Sequence, residues 1–238
     1  MYKLWTTFID ILFPPLCLSC KKHLKNDKLV ICENCYKSIP VASSFYCSKC
    51  KKRSPTINGR VPACSCRNSF TIGAASTYSK GPIHDLIAAL KYHGVTKAAE
   101  PLGKLMATFI ELAKFDFSNF IIIPIPLSPL RLRERGYNQA ELIAKEFLLS
   151  FPGYNQKLRT DIVKRIINSD PQTSMGSRDL RKDNIIGAFF VVNPTAIQEK
   201  RILLMDDVYT TGATTQEVAK MLKDAGAKRV IILTVARA

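Results

Sequence analysis

Two adjacent acids and four threonines lie within ten residues of one another in the segment LLMDDVYTTGATT, residues 203–215. The residues up to Met205 are apolar and predict a buried strand, whereas residues 217–225 have helical spacing and stop at Gly226. Residues 230–235 predict the next strand. The loop after Met205 is therefore expected at the carboxyl end of a parallel strand and at a helix N-terminus, where α/β sheets bind small ligands.

This loop has the features of a phosphate site. Backbone N–H groups from Thr210 to Thr214 would lack intrahelical partners, and the helix dipole adds partial positive charge. Gly212 permits a close approach of the ligand. Asp206 and Asp207 would repel a phosphate but would accept hydrogen bonds from hydroxyl groups. A ribose 5-phosphate meets both demands, with its phosphate in the loop and its diol on the acids.

Other phosphate motifs do not fit this segment. No lysine follows Gly212 as a Walker loop requires, and a dinucleotide fingerprint would need three spaced glycines. Val208 stands where an Asp-x-Asp phosphotransferase would have its second acid. The remaining alternative is a plain acidic strand end followed by a threonine helix cap.

All eight cysteines lie in the first 66 residues, in four closely spaced pairs. Each pair can present two thiolates to one tetrahedral ion, so one or two structural zinc ions are expected in place of a large core. Sequential pairing groups the first four cysteines and the last four, while an interleaved pairing, a redox motif or free thiols are the alternatives. Cys64-Ser65-Cys66 is one residue short of the usual spacing. The candidate ligands are Cys17, Cys20, Cys32, Cys35, Cys47, Cys50, Cys64 and Cys66.

The chain is strongly basic, with 35 Lys and Arg against 19 Asp and Glu, which favours polyanionic partners such as phosphates, nucleotides, nucleic acid or anionic lipid. Asp10 interrupts the apolar start, and no small-residue cleavage site follows it. We interpret residues 4–13 as an amphipathic helix on the protein's own body. No apolar run reaches the roughly 18 residues of a membrane span. A cytoplasmic location without a transmembrane segment is therefore expected.

Two regions differ in composition. Residues 1–70 are rich in Cys, Lys, Ser and Pro and predict an N-terminal helix with a double zinc ribbon. Residues 71–238 alternate apolar runs with amphipathic segments. Continuous apolar strands such as residues 120–125 and 202–205 predict an α/β domain with a central parallel sheet flanked by helices.

LLMDDVYTTGATT resembles the diphosphate-sugar signature of the type I phosphoribosyltransferases. With LFPPLC, the cysteine pairs, GPIHDLIAALKYHG and PIPLSPLRLRERGYNQAELIA, nearly the whole chain resembles the ComF family. The resemblance implies a type I phosphoribosyltransferase fold behind a zinc ribbon. It implies that Asp206 and Asp207 hold the ribose hydroxyls of phosphoribosyl diphosphate. It places the 5-phosphate on Thr210, Thr211, Gly212, Ala213 and Thr214.

The resemblance also implies a site for the leaving diphosphate on the loop after strand 120–125, at Leu127, Ser128 and Pro129. Arg131, Arg133 and Arg135 follow and would neutralise this anion, unless they form a solvated or nucleic-acid-binding face. Lys91 could reach the same anion or could be an ordinary helix C-terminal lysine. Residues 155–184, with Gln172, Arg181 and Asn184, match a mobile lid in these transferases.

These features favour an enzyme that binds phosphoribosyl diphosphate with Mg²⁺ and transfers the phosphoribosyl group to an acceptor that the sequence does not specify. The family association adds single-stranded DNA and a competence helicase as expected partners. Two other hypotheses compete. One is a non-catalytic module that binds phosphoribosyl diphosphate and single-stranded DNA, and the other is a structural adaptor with a vestigial ribose site.

Overall fold

The computed structural model of the chain describes residues 15–26, 28–154, 157–166 and 187–238. Six strands form one sheet in the order β2-β1-β3-β8-β7-β4, and β5 pairs with β6 in a separate two-stranded sheet. The strands are β1 (Phe45–Cys47), β2 (Arg53–Ser54), β3 (Thr71–Thr77), β4 (Phe120–Pro124), β5 (Val163–Arg165), β6 (Phe189–Val191), β7 (Arg201–Tyr209) and β8 (Arg229–Arg237). The α-helices are α1 (Glu33–Lys37), α2 (Pro82–Tyr92), α3 (Ala99–Leu112), α4 (Pro129–Arg135), α5 (Gln139–Leu149) and α6 (Ala213–Asp224).

The centre of the large sheet is parallel and covered on both faces. Strands β3, β8, β7 and β4 all run in the same direction. In β8, all seven residues from Val230 to Ala236 are buried, as expected for a strand between two layers. The predicted α/β fold with a central parallel sheet and flanking helices is confirmed.

Alternate residues of β7 belong to two different hydrophobic clusters. Leu203 and Met205 pack with apolar residues of α2, α3 and α5. Ile202 and Leu204 pack with α6 and with the β5–β6 hairpin. Side chains in a strand alternate between faces, so this division identifies the two sides of the sheet.

The chain leaves the carboxyl ends of neighbouring strands β4 and β7 toward opposite faces. After β4 it leads through α4 to α5 on one face, and after β7 it enters α6 on the other. Connections that diverge in this way leave a crevice outside the strand ends, which is the usual ligand site of open α/β sheets.

The cysteine-rich region is joined to the central sheet. Strand β1 pairs antiparallel with β3, and its Phe45 ring packs edge-on against Phe109 of α3 with a centroid distance of 5.1 Å. Strands β1 and β2 thus extend the sheet with residues from before position 70. The boundary near residue 70 stays a prediction about domain organisation.

Several boundaries differ from the sequence expectation. Strand β7 does not end at Met205 but continues to Tyr209, because its parallel pairing with β8 persists through Asp206 and beyond. Helix α6 begins at Ala213 rather than residue 217, directly after Gly212. Within the lid segment expected at 155–184, residues 163–165 form β5 and pair with β6. Among the described residues, no helix has the length and apolar character needed to cross a membrane.

Candidate functional site

Asp206 and Asp207 lie inside β7, near its carboxyl end, and not beyond the strand as the sequence suggested. Their register partners continue along β8, with Asp206 opposite Thr234. Because strand residues alternate, the two side chains point to opposite faces of the sheet. The predicted pair of acids is therefore brought to the crevice, but as two groups with different surroundings.

Asp207 is held by Lys91. The Asp207 side chain is buried, and its Oδ1 atom lies 2.7 Å from Lys91 Nζ at the end of α2. Burial alone would lower the pKa of Lys91, but the charges of Asp207 and Asp206 raise it above its ordinary value, so the ammonium form persists. The second oxygen of Asp207, Oδ2, is buried and has no hydrogen-bond partner among the described residues. An unsatisfied buried carboxylate oxygen is costly and is a ready acceptor for a ligand hydroxyl.

Asp206 is half-buried and has no ion-pair partner within 4.0 Å among the described residues. Its Oδ1 atom accepts a hydrogen bond from the Asp207 backbone N–H at 2.8 Å. Burial and the neighbouring Asp207 carboxylate raise the pKa of Asp206 to about 7, against the opposing charges of Lys91 and Arg165. A cation or a pair of hydroxyl donors would stabilise its ionised form.

The turn after β7 contains the residues that the sequence predicts to bind a phosphate. Gly212 has a left-handed backbone (φ +79°) and precedes α6 without contributing a side-chain cap. Thr210 and Thr211 are exposed, while Ala213 and Thr214 are half-buried in the first turn of α6. The Ala213 N–H donates to Thr211 Oγ1 at 3.3 Å, a weak contact that a phosphate oxygen could replace.

The connection after β4 is mostly helical, in contrast to the loop that the sequence suggested for Arg131, Arg133 and Arg135. Ser128 caps α4 by accepting the Arg131 N–H, Pro129 is its first residue, and left-handed Gly136 ends it. Leu127 and Arg131 are half-buried, whereas Arg133 is exposed. The structure brings these residues to the carboxyl end of β4, beside β7.

Arg135 and Lys91 already have partners within the protein. Arg135 Nη1 donates to Gln139 Oε1 at 2.6 Å, and its guanidinium lies 6.0 Å from the centre of the Tyr92 ring. Lys91 pairs with Asp207, as described above. Either residue would have to exchange its partner to contact a diphosphate.

Sequence reasoning missed two residues of the site. Arg165 on β5 lies over the Phe189 ring at 5.2 Å. Burial is the main cause that lowers the pKa of Arg165; the nearby charge of Arg131 lowers this pKa further, and the charge of Asp206 raises it. No pattern indicated it, because β5 has only three residues in a polar segment. Tyr209 packs under Gly212, and only its position between the acids and the threonines could have marked it.

The eight cysteines form two clusters, grouped as the sequential pairing predicts. The first contains residues 17, 20, 32 and 35 and the second residues 47, 50, 64 and 66, with the sulfur atoms of each cluster within 4.8 Å of one another. Zn–S bonds of about 2.3 Å in a tetrahedron place sulfurs about 3.8 Å apart. Cys20 and Cys32 are 3.7 Å apart, and Cys50 and Cys64 are 3.6 Å apart. The short Cys64-x-Cys66 step still brings both sulfurs into the second cluster.

The thiols of each cluster favour a bound cation. Despite burial, backbone N–H groups lower the pKa of Cys17 to about 6. Burial and the neighbouring cysteines raise the pKa of Cys35 to about 12, and Cys64 and Cys50 raise that of Cys66 to about 12. Four sulfurs this close cannot all ionise without a positive ion, so the clusters fit structural zinc.

A cavity of about 1230 Å³ lies between the second cysteine cluster and α6. Cys64 lies at one side and Thr211 and Ala213 of the phosphate turn at the other, so the cavity reaches the candidate site. Its lining is rich in basic residues: Arg60, Arg201, Lys220, Lys223, Lys228 and Arg229. Three acids, Asp116, Glu217 and Asp224, also line it.

Two histidines of the α2 segment are exposed and peripheral, and several residues predicted from the sequence lie outside the described part. His84 lies 3.4 Å from Asp85 on the surface of α2, and His93 follows the end of that helix. Gln172, Arg181, Asn184 and the N-terminal segment 4–13 lie outside the described residues.

Comparison with known proteins agrees with this architecture. Residues 8–68 match the double zinc ribbon domain, and residues 132–238 match the phosphoribosyl transferase domain. The chain is 28% identical to competence protein F of Haemophilus influenzae over 94% of its length and 90% of that protein. It is 29% identical to competence protein ComFC of Streptococcus pneumoniae over 90% of each chain. It is 25% identical to DNA utilization protein YhgH of Escherichia coli K12, over 93% of its length and 90% of that protein.

Two domain types thus occur in the order that the sequence predicted, and the similarity to the competence proteins extends over nearly the whole chain. The resemblance inferred from the sequence is confirmed: the chain is similar to the ComF competence proteins over most of its length and combines a double zinc ribbon with a phosphoribosyl transferase domain.

Proposed function

We propose that the chain binds phosphoribosyl diphosphate at the carboxyl end of β7 and transfers its phosphoribosyl group. The observation that carries this proposal is the unpaired oxygen of Asp207. Oδ2 is buried and has no partner in the described part of the chain, while Oδ1 is fixed by Lys91 in a strand that leads directly to the Gly212 turn. A sugar hydroxyl would satisfy this oxygen, and the same sugar's phosphate would lie on the amide groups of the turn.

The diphosphate of the ligand would lie toward the β4–α4 connection. Arg131 and Arg165 come from different elements and approach the same side of the site as Asp206. Two guanidinium groups in mutual repulsion favour an anion between them. Leu127, Ser128 and Pro129 would border this position, with Ser128 retaining its role as the cap of α4.

Mg²⁺ would neutralise the diphosphate leaving group. The half-buried Asp206 carboxylate is suited to a ligand that carries a cation, because a nearby positive charge would lower its raised pKa and favour its ionised form. The protein's own contribution is positioning. The turn fixes the phosphate, the two carboxylates fix the diol, and the arginines neutralise developing charge as the bond at C1 breaks.

A calorimetric titration tests the binding part of this proposal. Phosphoribosyl diphosphate with Mg²⁺ is expected to bind with one site per chain, and ribose 5-phosphate is expected to compete for that site. Diphosphate release with a panel of purines, pyrimidines and amines tests transfer. Absence of binding by both ligands would contradict the proposal, and binding without release from any acceptor would favour the non-catalytic function described next.

The second candidate function is a binding module for single-stranded DNA that also holds phosphoribosyl diphosphate without turnover. The basic cavity beside α6 favours it, because six cations surround a space that begins at the phosphate turn. The relatives are competence proteins and DNA utilization proteins, and these names agree with a role in DNA handling. A competence helicase as a further partner stays a prediction.

Fluorescence anisotropy with labelled single-stranded DNA tests this candidate. The affinity should fall steeply with salt, and Lys220→Glu in the cavity should weaken binding several-fold. Lys145→Glu on α5, on the opposite face of the sheet, is the matched charge reversal and should have a smaller effect. A flat salt response, or equal effects of the two variants, would contradict DNA binding in this cavity.

A further inference from the structure

We propose that the second cysteine cluster positions the phosphate turn through Tyr209. This inference rests on the proposed binding of a phosphorylated ribose and adds a structural link between that site and one of the two clusters. Among the residues that the structure describes, the first cysteine cluster has no contact with Tyr209 and serves as the internal comparison.

Tyr209 is the last residue of β7, and its side chain is buried against the turn. The Tyr209 hydroxyl is hydrogen-bonded to Gln216 Nε2 of α6 at 2.9 Å. A Cβ atom on Gly212 would collide with the Tyr209 ring and would lie 2.6 Å from Gln216 Nε2. The ring therefore lies directly beneath the left-handed residue that orients the amides of the turn.

The other side of Tyr209 faces the second cluster. Lys51 follows the Cys47–Cys50 knuckle, and its Nζ atom lies 5.8 Å from the centre of the Tyr209 ring. Lys51 is fixed within the knuckle, because its N–H donates to Cys47 O at 3.1 Å and its Nζ donates to Ser48 O at 2.7 Å. Tyr46, the neighbour of Cys47, belongs to the same hydrophobic cluster as Tyr209.

The second cluster region and the phosphate turn also border the same cavity beside α6. Cys64, Ser69 and Phe70 of the second cluster region line it together with Thr211, Ala213 and Gln216 of the turn. In contrast, Cys17 of the first cluster packs in the other hydrophobic cluster, with residues of α2, α3 and α5. The two clusters therefore have equivalent ligands but different neighbours.

Cys47, Cys50, Cys64 and Cys66 would hold a zinc ion that fixes the knuckle. The knuckle then supports the Tyr209 ring, and the ring supports Gly212. Binding energies at linked sites are reciprocal, so phosphate binding must also stabilise the metal of this cluster. Zinc loss from the second cluster would consequently weaken the phosphate site, whereas zinc loss from the first would leave it unchanged.

Matched variants test the link. Cys20 and Cys50 are both exposed second cysteines of their knuckles. Cys50→Ser is expected to lower the affinity for ribose 5-phosphate about tenfold, and Cys20→Ser less than about twofold. Tyr209→Phe removes only the bond to Gln216, and we expect it to lower the affinity about threefold with both zinc ions retained.

Zinc release from the wild-type chain gives a readout that does not depend on variant folding. With a chelator and a colorimetric zinc indicator, saturating ribose 5-phosphate should slow the release of one of the two zinc ions and leave the other unchanged. Equal release with and without ribose 5-phosphate, or equal affinities of Cys20→Ser and Cys50→Ser, would overturn the link alone. Failure of the wild-type chain to bind ribose 5-phosphate would overturn the proposed function and this inference with it.

Discussion

Asp206 and Asp207 are neighbours in the chain and share one side-chain type, yet they lie on opposite faces of the sheet. Asp207 is buried and paired with Lys91 of α2, and its second oxygen has no partner within residues 15–26, 28–154, 157–166 and 187–238. Asp206 is half-buried, its pKa is raised to about 7, and Arg165 of the β5–β6 hairpin acts on it from the other face. The difference shows that two identical consecutive residues of a strand can have separate roles, because their side chains point to opposite faces of the sheet.

Asp207 has a structural role as well as a role in the site, whereas the role of Asp206 depends on a ligand. The Asp207–Lys91 pair connects the end of β7 to α2 and so contributes to the fold as well as to the site. Asp206 has no comparable contribution to the fold, because its ionisation is disfavoured before a ligand arrives. We therefore expect substitution of Asp207 to change both stability and ligand affinity, and substitution of Asp206 to change mainly ligand affinity.

The largest effect is expected for Asp207→Asn. Lys91 would lose its anionic partner, which should lower the free energy of unfolding by about 2 kcal/mol, since Lys91 retains some access to water. Affinity for phosphoribosyl diphosphate should fall roughly 10- to 100-fold, because a charged acceptor is lost. Urea unfolding and calorimetry measure the two effects. Unchanged stability would contradict a structural role for the pair.

Lys91→Met should destabilise the protein by about 2 kcal/mol, since it leaves the Asp207 carboxylate buried without a cation. The double variant Lys91→Met/Asp207→Asn should cost at least about 1 kcal/mol less than the sum of the single changes. A double-mutant cycle by urea unfolding measures this coupling. Additive costs would show that the two groups act independently.

The pH dependence of binding should arise from Asp206. Because the pKa of Asp206 is about 7, its ionised form, which is the better acceptor for a sugar hydroxyl, increases between pH 6 and 8. Affinity for ribose 5-phosphate should rise over this range. The phosphate itself also titrates near pH 6, so Asp206→Asn is the control that retains only the phosphate contribution. Identical pH slopes for the wild type and Asp206→Asn would contradict this assignment.

The smallest effect concerns the stability of Asp206→Asn. Between the ordinary pKa of 3.8 and the raised value of about 7, the folded state holds a proton that the unfolded chain has released, so stability decreases as pH rises through this window. The variant should be at least as stable as the wild type at pH 8, because Asn Oδ1 can still accept the Asp207 N–H. A thermal melt that shows a marked loss would contradict the raised pKa.

The sequence was sufficient to predict the βαβ unit, the place of Asp206 and Asp207 near the carboxyl end of a parallel strand, the turn at Gly212 and the sequential grouping of the cysteines. These features depend on local spacing, which sequence records directly. The sequence could not show that β7 continues through Asp206 and Asp207, because that depends on pairing with β8. It therefore presented the two acids as equivalent.

Other parts of the site depend on contacts between distant segments. Lys91 was expected to contact an anion, but its partner in the structure is Asp207, 116 positions away in the chain. Arg165 gains its position from the β5–β6 hairpin and Tyr209 from the pairing of β7 with β8, and neither relation has a local signature. Helix α4 was missed because its capping residues, Ser128 and Gly136, also fit a loop.

The most direct measurement compares ribose 5-phosphate with 2-deoxyribose 5-phosphate by calorimetry, in the wild type and in Asp206→Asn and Asp207→Asn. If the end of β7 holds the sugar's hydroxyls while the adjacent turn holds its phosphate, the wild type should bind ribose 5-phosphate about tenfold more tightly than 2-deoxyribose 5-phosphate. At least one variant should lose that discrimination while still binding both sugars through the phosphate. Equal affinity of the wild type for the two sugars would contradict the account.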